Sequence, residues 1–390
     1  MDLDRILADT PAAAQQVFLD SAGSSLPPAP VLDTVVSHLR REAEVGGYRA
    51  AAERAEDAAR VRASLGTLLG APPETIALTD SATRGWTQFF YAVPLRPGDR
   101  ILLSGVEYGS NAVAALQRAE RSGARVEVVP SDADGLIDLE ALAGMLDDRV
   151  RLVSLVHVPT NGGLVNPVRE AADLAHAHGA AVLLDACQSA GQLRLDVDAL
   201  GVDALSATGR KWLRGPRGTG FLYVREPGRY DPPVIDFHGA TWTEAEEYVL
   251  APDATRFELF EHDVAARLGL GAAVDYLLEL GVDEVEKAVA AGGRRLRDGL
   301  AEVPGVTVRD QGRAGERCGI VTFTVDGVDP AAARDELARR DVTVTVSSRA
   351  GTLLDMDRRG LDAVVRASPH YFVTPEQLDR AVAAVAALTR

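Results

Sequence analysis

Ala180-Ala181-Val182-Leu183-Leu184-Asp185-Ala186-Cys187-Gln188-Ser189 is an apolar run that stops on a carboxylate. A strand that is apolar on both faces belongs in a sheet covered on both sides. In open α/β sheets ligands gather beyond the carboxyl ends of such strands, which is where Asp185 stands. Further on lies Thr208-Gly209-Arg210-Lys211-Trp212-Leu213-Arg214-Gly215-Pro216-Arg217-Gly218-Thr219-Gly220. A lysine amine can hold pyridoxal phosphate (PLP) as a Schiff base, and an aspartate can keep its pyridinium nitrogen protonated. The two stretches together predict a PLP site built on Lys211 and Asp185.

Working outward, strand-like and helix-like stretches alternate from about residue 72 to 225. Thr75–Leu78, Arg100–Ser104, Val126–Val129, Leu152–His157, Ala180–Leu184, Ala204–Ala207 and Gly220–Val224 read as short apolar strands. Asn111–Arg121, Leu139–Leu146 and Val168–His178 read as helices between them. Such alternation predicts an α/β domain with a mostly parallel sheet. Residues 50–64, rich in Ala, Glu and Arg, read as one helix, and residues 226–256 as irregular. A helix is expected over Glu261–Leu280, strands over Val306–Val308, Gly319–Thr324 and Val342–Val346, and a helix over Pro330–Arg339. Thr374-Pro375-Glu376-Gln377 carries a capping box for a last helix. The expected division is a large PLP-binding domain over 16–260 and a small α+β domain over 261–390, with 1–15 packing on the latter.

The 390 residues carry a formal net charge of -16. Nucleic acid and anionic membranes need basic patches, so neither is expected as a partner. The start, Met-Asp-Leu-Asp-Arg-Ile-Leu, lacks the apolar core of a signal peptide, and no run approaches a membrane span. Cys187 and Cys318 form neither a disulfide framework nor a metal-ligand pattern. A cytoplasmic protein is expected.

Ser81-Ala82-Thr83 follow a strand and open a helix, where free amides and the helix dipole favour an anion such as a phosphate. Taken alone this is an ordinary helix cap; Asp185 and Lys211 give it weight. Gln188, three residues past Asp185, is within reach of the ring oxygen of such a cofactor. Trp86 and Phe89 suit either the substrate entrance or helix packing, and packing is the commoner role. His157 and His238 are candidate acid–base groups, with a structural role as the plainer reading.

Asp-x-x-Gln followed by Thr-Gly-x-Lys and Gly-Pro-x-Gly-x-Gly resembles the class V aminotransferase superfamily, which includes cysteine desulfurases and isopenicillin N epimerase. Leu19-Asp20-Ser21-Ala22-Gly23 and Val365-Arg366-Ala367-Ser368-Pro369-His370 resemble its terminal motifs, so the likeness spans nearly the whole chain. It implies a fold-type I PLP enzyme and an amino-acid substrate. Lys211 would hold the cofactor and shuttle the α-proton, Asp185 would meet the ring nitrogen, and Gln188 the ring oxygen. Ser81, Ala82, Thr83 and Thr208 would hold the phosphate. Arg366 would bind the substrate carboxylate as a fork, with Ser24 and Tyr48 also at the substrate.

Several positions depart from the family pattern. Tyr108, in Glu107-Tyr108-Gly109, stands where desulfurases stack a histidine on the ring. Arg210 replaces a common histidine and could meet the phosphate. Pro159-Thr160-Asn161 replaces Asn-Asn-Glu, leaving Thr160 or Asn161 to inherit the contact near the cofactor. Gly239–Thr243, including Thr241, is the candidate for contacting the partner's phosphate in an implied homodimer. A desulfurase needs a thiolate on a mobile loop, yet Val346-Ser347-Ser348-Arg349-Ala350-Gly351 contains no cysteine.

The segments at 19–22, 41–48, 107–109 and 210–218 particularly resemble a subgroup containing the C–S lyase of ergothioneine biosynthesis and enzymes of lincosamide biosynthesis that process S-cysteinyl conjugates. The resemblance implies β-elimination at a cysteine S-conjugate or its sulfoxide. Decarboxylation-coupled oxidative deamination, epimerisation and transamination are the alternatives. A non-catalytic PLP binder would have little use for Lys211, Asp185 and Arg366 together.

Overall fold

The computed structural model describes residues 1–389. A seven-stranded sheet forms the centre, in the order Ile76–Thr79, Gly220–Val224, Ala204–Thr208, Ala181–Asp185, Val150–Val156, Arg100–Ser104, Arg125–Val129. Gly220–Val224 runs antiparallel to both neighbours, and the remaining pairs are parallel. The expected mixed, mostly parallel sheet is therefore present, with every expected strand within two residues of its place.

Helices cover both faces, as the apolar strands require. On one face Trp86, Phe89 and Phe90 of the Ala82–Ala92 helix pack with Ile101, Leu183 and Leu222. Trp86 and Phe89 are thus core residues and do not line an entrance. On the other face Val168, Ala171 and Ala175 of the Val168–Ala177 helix pack with Val153, Leu155, Val182 and Leu184.

Toward the C-terminus a four-stranded antiparallel sheet has the order Val306–Val308, Val321–Val325, Ala363–Ala367, Thr345–Ser348. The expected strand over Val342–Val346 is two. Val342–Thr343 pairs in parallel with Val17–Phe18, while Thr345–Ser348 pairs with Ala363–Ala367. One β-prone run is divided because two different partners lie beside it. The Val17–Phe18 pairing, continued by a bridge from Asp20 to Ser368, draws the N-terminal segment alongside the strand that carries Arg366.

Three other expectations need correction. Residues 226–256 contain a hairpin, Ala240–Glu244 with Glu247–Leu250, where Thr241, Trp242, Tyr248 and Val249 supply β propensity. The helix expected over 50–64 is two, Gly47–Glu53 and Ala55–Leu69, broken at Arg54. No glycine or proline marks that break. The helix expected from Glu261 begins at Val264, because the Asp263 side chain accepts from the Ala266 amide and caps it there. The capping box at Thr374 forms as expected, with both side chains engaged.

Candidate active site

The cavity lies beyond the carboxyl ends of Ala181–Asp185 and Ala204–Thr208, where an open α/β sheet binds its ligands. It gathers Ser81, Ala82, Thr83, Tyr108, Thr160, Asp185, Gln188, Thr208, Arg210 and Lys211, ten of the residues expected from sequence. One end is the start of the Ala82–Ala92 helix. Ser81 caps it by accepting from the Arg84 amide at 3.2 Å, which leaves the first two amides without helical acceptors. Gly220 makes this placement possible: a Cβ there would come within 2.6 Å of the Ser81 carbonyl carbon and 2.8 Å of the Ala82 nitrogen.

Lys211 follows Thr208 in a turn held from outside. Arg214, in the left-handed region at φ 61°, donates to the Leu26 carbonyl and the Tyr371 hydroxyl, both at 2.8 Å. His370 contacts the Trp212 carbonyl through Nε2 and accepts the Tyr371 amide at Nδ1, so Nε2 carries the proton. Burial pushes the Lys211 amine below the usual lysine range, which favours the nucleophilic neutral form.

Asp185 accepts from the Cys187 amide through one oxygen and from Asn111 Nδ2 through the other, each at 2.9 Å. Gln188 is fixed at both ends: Trp212 Nε1 donates to its oxygen at 3.0 Å, and its amide donates to the Ala22 carbonyl at 3.1 Å. Arg366 is buried beside the cavity and donates to the Thr160 hydroxyl at 2.8 Å and carbonyl at 3.1 Å. Its other terminal nitrogen meets Asp20 at 3.1 Å, and its Nε has no partner. Thr160 rather than Asn161 faces the cavity, for Asn161 is buried and donates to Asp355 at 2.7 Å.

A scan against family models matches aminotransferase class V over residues 17–381. The chain belongs to the class V aminotransferase family. The cysteine desulfurase of Salmonella gallinarum is 30% identical, the match covering 100% of this chain and 98% of the relative. The apo cysteine desulfurase of Thermococcus onnurineus NA1 superposes with a TM-score of 0.90 at 25% identity, covering 99% of this chain and 98% of that one. The cystine C–S lyase C-DES, in complex with its product cysteine persulfide, gives 0.87 at 26% identity, covering 97% and 99%. A lysine-to-alanine mutant of C-DES carries glycine covalently linked to its PLP cofactor.

The residues of this class V chain fit the same cofactor. A half-buried amine and a buried carboxylate line one cavity, whose far end offers unpaired helix amides and the Thr208 hydroxyl. Those are the donors and acceptors that an aldehyde, a pyridine nitrogen and a phosphate require. One terminal nitrogen of Arg210 donates to the Gly23 carbonyl of the N-terminal segment, and the residue also lines the cavity. Ser24 lies in the short Ser21–Ser24 helix of that segment, outside the cavity wall.

Two further expected residues stand apart. Tyr48 is 84% exposed on the Gly47–Glu53 helix and does not line the cavity. Thr241 is exposed on the hairpin, away from this chain's own cavity. His157 is buried, and burial pushes its imidazole down to about 4, so it is neutral at neutral pH. His238 lies 3.4 Å from buried Glu258 and serves that ion cluster. Sequence reasoning missed Asp20 and Asn111, whose roles arise from contacts across 346 and 74 residues of chain. Asp20 did stand in the quoted N-terminal motif, which was the available signal.

Proposed function

We propose that this chain is a PLP-dependent C–S lyase that performs β-elimination on a cysteine S-conjugate or its sulfoxide. The carrying observation is the lack of a usable thiol. Arg349–Gly351 closes over the cavity rim: a Cβ on Gly109, next to Tyr108, would lie 2.6 Å from the Ala350 carbonyl, and one on Gly351 would touch Thr160. The longer stretch Val346–Gly351 carries two serines and an arginine but no cysteine. Cys318 is 2% exposed, its thiol pushed up to about 12 by burial. Cys187 lies in the cavity wall, where burial and then Asp185 hold its thiol well above the ordinary range. Neither is a ready persulfide acceptor.

PLP, when bound, supplies the electron sink for bonds at the substrate α-carbon. Arg366 would orient the substrate through its carboxylate. Lys211 would take the α-proton, the C–S bond would break with its electron pair on sulfur, and water would complete release of pyruvate and ammonia. A thiol leaves from a sulfide, a sulfenic acid from a sulfoxide. Asp185 would hold the ring-nitrogen proton and Gln188 the ring oxygen, with Tyr108 on the ring face.

The reading includes a homodimer. Phe237, Trp242, Tyr248 and Val249 around the hairpin are 59–76% exposed, an apolar surface suited to a second copy that would receive Thr241 at its phosphate. Among the described residues no helix is long and apolar enough to cross a membrane.

Borohydride treatment of the holoenzyme should fix the cofactor onto Lys211, and Lys211→Ala should abolish that linkage. S-substituted cysteines should release pyruvate, while free cysteine leaves no persulfide on Cys187 or Cys318. A protein persulfide would instead assign a desulfurase. An aldehyde and hydrogen peroxide under air, without pyruvate, would assign oxidative deamination.

A further inference from the structure

A second buried carboxylate lies behind Asp185. Glu107 is 1% exposed and precedes the Gly109–Ser122 helix, on which Asn111 stands. Three donors converge on it. The Tyr108 amide and Asn111 Nδ2 donate to Oε1 at 2.8 and 2.9 Å, and the Ser154 hydroxyl donates to Oε2 at 2.7 Å. The same Asn111 nitrogen donates to Asp185 Oδ2 at 2.9 Å. One amide group therefore bridges two buried carboxylates.

We propose that Glu107 is a positioning residue that supports the ring-binding carboxylate of Asp185 through Asn111 and holds Tyr108 at the ring face through its backbone. The inference rests on the reading that Asp185 meets the cofactor's ring nitrogen. The two N–H donors require Oε1 to accept, and the Ser154 hydroxyl is able to donate to an ionised Oε2. Two carboxylates sharing one amide repel each other, and a cation on the far side of Asp185 relieves that repulsion. A protonated pyridine is such a cation. Burial, opposed by Ser154 and Asn111, pushes the Glu107 carboxyl up to about 7. Its charge is therefore sensitive to whatever sits on Asp185. The titratable groups facing the pair are Cys187, Lys211 across the cavity, and Tyr108 at its edge.

Glu107→Gln tests the charge at nearly constant shape. Its amide oxygen can keep the Tyr108 and Asn111 bonds, and its NH2 can donate to Ser154. The reconstituted holoenzyme is titrated by the visible absorption band of the bound cofactor, alongside cofactor affinity. Loss of a nearby negative charge disfavours the protonated cofactor, so the midpoint should fall by about one pH unit. Asn111→Ala should shift it in the same sense and weaken cofactor retention. Should Glu107→Gln not fold, Ser154→Ala removes one donor that favours ionised Glu107 and should lower the midpoint by less. Midpoints and affinities equal to wild type in these variants overturn the proposal. If Asp185→Asn is also without effect, the reading of Asp185 itself fails, which separates the two ideas.

Discussion

Asp20→Asn tests the substrate end of the site. Arg366 and Asp20 leave only 8% and 24% of their side chains exposed, and Nη2 stands 3.1 Å from Oδ1. Gly23 is what admits this arrangement, since a Cβ there would lie 2.5 Å from both Asp20 oxygens. Unit charges at this separation interact by about 5 kcal/mol at an effective dielectric of about 20. Desolvation cancels part of that, and a charge-assisted bond retains roughly 1.5–3 kcal/mol. A substrate carboxylate approaching Arg366 must share or displace this internal partner. Asparagine keeps a neutral acceptor, so about half the competition should vanish, roughly 1.4 kcal/mol or tenfold in affinity.

The assay is displacement of the holoenzyme's visible band by an unreactive amino acid such as glycine. Dissociation should become about tenfold tighter, and thermal unfolding should occur at lower temperature because buried Arg366 loses its counter-charge. Burial pushes the Asp20 carboxyl up, against the pull of Arg366. Wild-type binding should therefore tighten as pH falls toward protonation of Asp20, and the variant should lose that dependence. Weaker binding by the variant at neutral pH, or an unchanged pH slope, would refute the reasoning.

Three further outcomes are expected. Glu258 has a fully buried side chain, with Arg62 at 2.7 Å, Arg267 at 3.1 Å and the Leu78 amide at 2.8 Å. Burial pushes its carboxyl up, but His238, Arg62 and Arg267 outweigh that and hold it at about 2. This stabilisation is present above the ordinary glutamate range and lost as pH falls from about 4.5 toward 2, which melting against pH should show. Glu258→Gln should cost about 3–5 kcal/mol by denaturant titration, and a loss below 1 kcal/mol would be too small for this cluster. Tyr108→Phe should leave cofactor affinity within about twofold, whereas Tyr108→Ala should weaken it by about 1 kcal/mol in equilibrium dialysis. Trp242→Glu should shift a dimer toward monomer in light scattering, and an unchanged mass would remove this hairpin from the interface.

The chain's local chemistry fixed much of this before any contact was known. Continuous apolar runs between turn signals located all seven central strands, because burial on both faces leaves a mark that needs no partner to be read. Asp185 and Lys211 were legible for a similar reason: a carboxylate closing an apolar strand and a lysine in a glycine-rich turn are costly unless used. The hairpin at 240–250 was less legible, since its apolar side chains are exposed and lie among acidic residues.

Tertiary structure alone decided the rest. It divided the 342–348 run between two sheets, set Tyr48 on the outer surface, and chose Thr160 over Asn161. It also joined Asp20 to Arg366, and Glu107 through Asn111 to Asp185. Those pairings have no local signature. They exist because sheet order and the Val17–Phe18 pairing carry distant charges to positions with little water, where each must find a partner.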